Sequence, residues 1–133
     1  MSFVHLHVHS EFSLLRSTAK IEQLVWRAKQ LGYEALALTD IDGMYGAIPF
    51  YKACHNLGIK PIIGVELAYS EKIELPSNEG LHRIVLLAKN NEGYKSLCRL
   101  TTKAHEKQSR FGPYVTYDEL ASHAEGTIAI VPF

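Results

Sequence analysis

The sequence predicts a parallel β/α fold, either a barrel or an open doubly wound sheet. Three observations carry this reading. Short β-prone runs alternate with stretches of helical periodicity. Most of those runs are apolar throughout, as in strands buried on both faces. Two joints repeat one pattern, Leu31-Gly32-Tyr33 and Leu57-Gly58-Ile59, with glycine closing a helix before the next strand.

The elements follow in order. Residues 3–9 alternate strictly, with Val4, Leu6 and Val8 on one side and His5, His7 and His9 on the other, the period of a strand. Thr18 is placed to cap a helix whose apolar stripe is Ile21, Leu24, Val25, Ala28 and Leu31. Residues 35–39 form the second strand, and residues 40–46 a loop rich in turn formers. A helix from Ala47 to Leu57 sets Phe50, Cys54 and Leu57 on one side, and its Pro49 is tolerated only in the first turn. Residues 61–68 are the third strand, and residues 70–81, with Pro76, Asn78 and Gly80, a surface excursion.

His82 opens the fourth strand, which runs to Ala88. Tyr94, Leu97, Cys98, Thr101 and Ala104 mark a third helix. After a polar loop over 106–115, Thr116 and Glu119 form a capping box for a short helix, and residues 127–131 are a last strand.

Composition narrows the function. The chain has 133 residues, 14 Lys and Arg against 14 Asp and Glu, and a net charge of zero. That balance gives no cationic surplus for gripping nucleic acid. At 47% apolar residues a packed core is expected rather than disorder. Two cysteines build no disulfide framework, and both fall on apolar helix faces where inert packing is expected. The first residues lack the pattern of a signal peptide, and no apolar run approaches a membrane span, so the expected location is the cytoplasm. Glycine-rich phosphate loops, the dinucleotide fingerprint and the nucleophile elbow are all missing.

In β/α folds functional groups gather at the carboxyl ends of the strands. His7 and His9, two residues apart, end the first strand on one face. Asp40 ends the second, Glu66 lies near the end of the third, and His82 starts the fourth. Histidine with carboxylate suits zinc, manganese or iron. Each residue also has a plainer reading. Three alternating histidines could fill a polar interior, and Asp40 could bind backbone amides of the next turn. Glu66, inside an apolar strand, is costly to bury without a partner.

Several segments together resemble a known family. His5-Leu6-His7-Val8-His9-Ser10, Phe12-Ser13-Leu14-Leu15, Leu38-Thr39-Asp40 and Gly46-Ala47-Ile48-Pro49-Phe50-Tyr51-Lys52 look like the opening of bacterial DNA polymerase III alpha subunits. So do residues 58–66, residues 82–94 and His123-Ala124-Glu125-Gly126-Thr127-Ile128. That family places a polymerase and histidinol phosphatase (PHP) domain there, a distorted barrel of seven β/α units. Intact relatives hold up to three metal ions and hydrolyse phosphoesters, and some replicases proofread 3′–5′ with this domain. The resemblance implies His7, His9, Glu66 and His82 as metal ligands.

Three positions depart from the family pattern. Arg16-Ser17 stands where the family has a ligating Asp, Ile41 where it has His, and Phe133 where it has a ligating Cys. Ile41 and Phe133 donate no lone pair. Arg16 would repel cations and could pair with Glu66 in their place. Asp40 is left a supporting role behind the ligands, or that of a base if the site were an active phosphoesterase. The expectation is a degenerate site with at most one weakly bound zinc or manganese ion and no catalytic residue. This departure resembles the alpha subunits of low-GC Gram-positive bacteria.

Residues 1–133 are then the N-terminal portion of a PHP domain, holding about five of its seven strands. The rest of that domain and the polymerase domains, with their magnesium, DNA and deoxynucleotides, are expected downstream. The segment would serve as a scaffold for those domains and for replisome proteins, with no membrane partner. The alternatives are a metal-dependent phosphoesterase or 3′–5′ exonuclease on the same ligands, and a non-catalytic small-molecule-binding domain.

Overall fold

A computed structural model describes residues 3–13, 19–70, 81–107 and 112–131. The fold is mixed α/β. Its elements are α1 (Ile21–Gln30), β1 (Ala35–Leu38), α2 (Ala47–Leu57), β2 (Lys60–Ser70), β3 (Leu81–Ala88), α3 (Asn91–Glu106), β4 (Val115–Thr116), α4 (Tyr117–Ser122) and β5 (Thr127–Ile130). The N-cap of α1 is Lys20, with no side-chain cap, and not the expected Thr18, because the helix starts only at Ile21. Thr18 itself, the Arg16-Ser17 pair, residues 71–80 and 108–111, and Pro132-Phe133 lie outside the described residues.

Local signals are read directly in the helices. α1 buries Ile21, Val25 and Ala28, while Leu31 is left exposed just past the last turn. Gly32 and Gly58 take φ of 80° and 70°, the left-handed conformation that closes α1 and α2. α2 begins and ends where its pattern predicts and buries Ala47, Phe50 and Cys54. α4 opens on the predicted capping box, with Thr116 accepting from the Glu119 N–H and Glu119 answering on the Thr116 N–H. α3 starts earlier than its apolar stripe, because Asn90 caps it by accepting from the Gly93 N–H at 2.9 Å.

The sheet departs from the all-parallel expectation. β1 pairs parallel with the first half of β2, but β2 and β3 are antiparallel over seven residue pairs, Gly64↔Leu87 to Ser70↔Leu81. β5 then pairs antiparallel with β3, and β4 pairs parallel with the end of β2. β2 ends at Ser70 and β3 begins at Leu81, and the residues 71–80 between them are fewer than the dozen or more that a parallel crossover takes, whereas an antiparallel pair needs no such length.

Residues 3–10 also differ from expectation. They run alongside β1 without forming a strand. Ala37 N–H donates to the His5 carbonyl at 3.1 Å and Thr39 N–H to the Val8 carbonyl at 2.8 Å. Two steps along β1 therefore meet three along the N-terminal segment, and the strict alternation breaks. Val8 packs against the first core, whereas Leu6 is 39% exposed.

Two main cores result. Ile21, Val25, Ala28, Leu36, Leu38, Phe50, Cys54 and Ile59 join α1 and α2 to β1. Val65, Leu67, Leu86, Leu97, Leu100, Ala104 and Val115 join α3 to one face of β2 and β3. The opposite face of those two strands carries Glu66, Val85 and Leu87, and Ala37 packs with the latter two. Among the described residues no helix is long and apolar enough to cross a membrane.

A candidate metal centre at Glu66

Glu66 sits mid-strand in β2, 6% exposed, and its backbone is tied to the chain that leaves β1. Its N–H donates to the Asp40 carbonyl and its carbonyl accepts from the Asp42 N–H, both at 2.9 Å. Ile41 thereby bridges to Glu66 in parallel fashion.

The N-terminal segment brings two imidazoles to the same carboxylate. Oε1 of Glu66 accepts from Nε2 of His7 and, at 3.1 Å, from Nε2 of His9. The two rings meet edge to face with centroids 5.0 Å apart. One ligand atom from each of the three residues lies within 4.8 Å of the others. The slipped pairing along β1 selects these two histidines. His5 leaves the group and packs instead against Phe3 and Tyr33.

A clamp behind the histidines holds their segment in place. Asp40 is buried, and its Oδ1 accepts from the Ser10 N–H at 2.5 Å and the Ser13 hydroxyl at 2.8 Å. Its Oδ2 accepts from the Ser10 hydroxyl at 2.7 Å. The Ser13 hydroxyl also accepts from the Ile41 N–H at 2.9 Å, and the Thr39 hydroxyl from the Val8 N–H at 2.9 Å. Asp40 thus binds the loop after His9 rather than the turn after itself, and it positions the histidines without joining them.

The third partner of Glu66 is one that sequence reasoning missed. Arg83 Nε donates to Glu66 Oε2 at 2.9 Å, and its Nη2 stands 3.9 Å from Asp42 Oδ1. Pairing register explains the contact: Arg83 lies opposite Ala68 and Val85 opposite Glu66, so all four share one face. His82 lies opposite Tyr69 on the other face, exposed, with its ring 5.4 Å from the Tyr69 ring. The structure therefore brings together His7, His9 and Glu66, sets Asp40 behind them, and leaves His82 apart. The expected Arg16–Glu66 pair lies outside the described residues. A charged residue inside the apolar run 83–88 was the available signal for Arg83, but its face depends on a strand partner that no local pattern names.

These contacts favour the ionised form of Glu66. Burial alone would raise its pKa. The hydrogen bond from His7, the hydrogen bond and charge of Arg83, and the hydrogen bond from His9 outweigh burial and hold the carboxyl below its usual range. An ionised carboxylate beside two imidazoles is a donor set for one divalent ion of the zinc or manganese type. These residues fit one such ion. Ile41, next along the chain from Asp40, offers nothing to a second, and Oε2 is already taken by Arg83.

Comparison with known proteins bears on this arrangement. A family model described as "PHP domain" matches residues 5–133. The DNA polymerase III subunit alpha of Bacillus subtilis is 48% identical over 133 residues, covering 99% of this chain and 11% of the relative. The protein of the same name from Treponema pallidum is 44% identical, covering 98% of this chain and 12% of the relative. The chain therefore spans about a ninth of the length of these relatives. Two solved structures share the fold. An amidohydrolase from Chromobacterium violaceum, with bound sulfate and no metal, has TM-score 0.59 and 24% identity over 77% of this chain and 33% of its own. A putative metal-dependent phosphoesterase from Bifidobacterium adolescentis has TM-score 0.55 and 19% identity over 93% of this chain and 44% of its own.

Proposed function

Because the chain belongs to the PHP domain family, we propose that it is the N-terminal PHP segment of a bacterial replicative DNA polymerase, with a metal site reduced to one ion. The relatives named DNA polymerase III subunit alpha, matching nearly the whole chain, support the parent assignment. On this reading the rest of the barrel and the polymerase domains lie in further chain. Those domains would bind DNA, deoxynucleotides and magnesium, and the whole would work in the cytoplasm with replisome proteins. The neutral charge suits a segment that faces protein rather than DNA.

The observation that carries the site's role is the sharing of Glu66 among His7, His9 and Arg83. His7, His9 and Glu66 would hold one zinc or manganese ion, and such an ion supplies Lewis acidity when bound. A hydrolytic centre needs further donors to keep a water acidic and to clamp the phosphoryl oxygens, and Ile41 provides none. Here His7 and His9 orient on Glu66, Asp40 fixes their segment, and Arg83 neutralises the carboxylate from behind. The result ties three stretches of chain together and serves as a scaffold. His82, which the family resemblance also implies as a ligand, stands on the other face and is left out of this set.

The test is metal analysis of the purified protein after chelation and reloading, with phosphatase and single-strand exonuclease assays alongside. The expected result is at most one equivalent of zinc or manganese, lost in His9→Ala, with no hydrolysis. Several equivalents together with hydrolysis abolished by His9→Ala would overturn the scaffold reading in favour of a phosphoesterase.

A further inference from the structure

Building on the one-ion reading above, we propose that Arg83 sets the ion capacity of this site. Its guanidinium acts as a resident cation on Oε2 of Glu66, holding the cluster to one loosely bound ion and freeing the fold from dependence on that ion.

The placement of charge supports this. Arg83 reaches Glu66 of β2 through Nε at 2.9 Å and approaches Asp42, in the loop after β1, through Nη2 at 3.9 Å. One positive group on β3 thereby spans two carboxylates on two other segments, the task a bridging metal ion performs. Arginine keeps its proton at every accessible pH, so this cation cannot step aside as a histidine could. A divalent ion on Oε1 would lie a few ångströms from the guanidinium, where repulsion is strong. A second ion would need Oε2 itself, which Arg83 fills. The side chain of Arg83 is 38% exposed, so solvent softens the repulsion and one ion is weakened rather than shut out.

The register of β3 makes the position decisive. Residue 83 points to the face of Glu66, whereas residue 82 does not. A neutral ligand at 83 would extend the donor set, and arginine there closes it. The same contact could be an ordinary ion pair with no bearing on metal, and the two views differ in what removal of the charge does.

Calorimetric titration of the chelator-stripped protein with zinc and with manganese separates them, using Arg83→Gln and Arg83→His. The proposal expects both variants to bind zinc about 10- to 100-fold more tightly than the parent. It also expects both to unfold at lower temperature in chelator and to recover when zinc is added. A variant that stays folded by circular dichroism yet binds zinc no better overturns it, and Arg83→His serves if Arg83→Gln fails to fold. If the parent binds one ion that His9→Ala removes, while the Arg83 variants show no gain, the inference falls and the one-ion reading stands. If only the Arg83 variants bind, the inference stands and the native ion falls. If no form binds zinc, both fall.

Discussion

Asp40 holds Ser10 at two points, accepting its backbone N–H on Oδ1 at 2.5 Å and its hydroxyl on Oδ2 at 2.7 Å. Both residues are buried, and the Ser13 hydroxyl adds a third bond at 2.8 Å. Asp40→Ala is expected to cost about 3 kcal/mol, because it strands buried donors as well as removing bonds to a carboxylate. Asp40→Asn is expected to rescue only part of this, since it loses the charge that strengthens all three bonds and its NH2 group can be met only by the Ser10 hydroxyl turned to accept. Denaturant unfolding reads the loss. Zinc affinity should fall with it, because the clamp holds the segment that carries His7 and His9. Full stability in Asp40→Asn would contradict the carboxylate's role.

Gly93 touches the backbone of Gly126. A Cβ on Gly93 would stand 2.0 Å from the Gly126 carbonyl oxygen, which already accepts from the Lys89 N–H at 2.8 Å. Gly93→Ala must therefore push the turn before β5 away from the start of α3. The expected cost is about 3 kcal/mol, in the range of overpacked core sites. Hydrogen exchange should show loosening at Lys89 and along β5 first. Unchanged protection there would mean that the turn yields freely.

Glu119 gives acid stability to the C-terminal part. Burial would raise its pKa, but the hydrogen bond from Lys107, the Thr116 N–H, the charge of Lys107 and the Thr116 hydroxyl lower it overall. A carboxyl whose folded pKa is depressed adds stability above its ordinary value near 4.5, and that stability fades as pH falls through the folded value. Glu119→Gln is expected to cost about 1 kcal/mol at pH 7. The gap between parent and variant should close as the pH falls below about 4.5, measured by urea unfolding across pH. A gap that persists at the lowest pH would assign the effect to packing.

Cys54 is inert while folded. It is fully buried in the α2 core, and burial pushes its thiol up to about 12. A thiol reagent at pH 8 is expected to modify Cys98, which is partly exposed, and to reach Cys54 only on unfolding. Cys54→Ser should cost about 2 kcal/mol by burying a hydroxyl without a partner. Rapid native labelling of both cysteines would show that α2 opens readily.

Much of the local structure was legible in order along the chain. The left-handed glycines at 32 and 58, the bounds of α2 and the Thr116–Glu119 capping box follow from short-range sterics and hydrogen bonding, which neighbouring residues determine among themselves. The apolar runs over 61–68 and 83–88 were legible as strands for the same reason. The grouping of His7 and His9 with Glu66 was legible as residue types, but not as contacts.

Tertiary structure decided the direction and register in which those strands pair. β2 and β3 lie antiparallel, which puts Arg83 rather than His82 on the face of Glu66. A slip along β1 sends His5 to Tyr33, and Asp40 closes on Ser10 and Ser13. Each outcome joins residues some 17 to 30 positions apart. Because side chains alternate from face to face along a strand, one residue of register reverses which groups meet. That choice is made by the packing of the whole sheet and not by the local sequence.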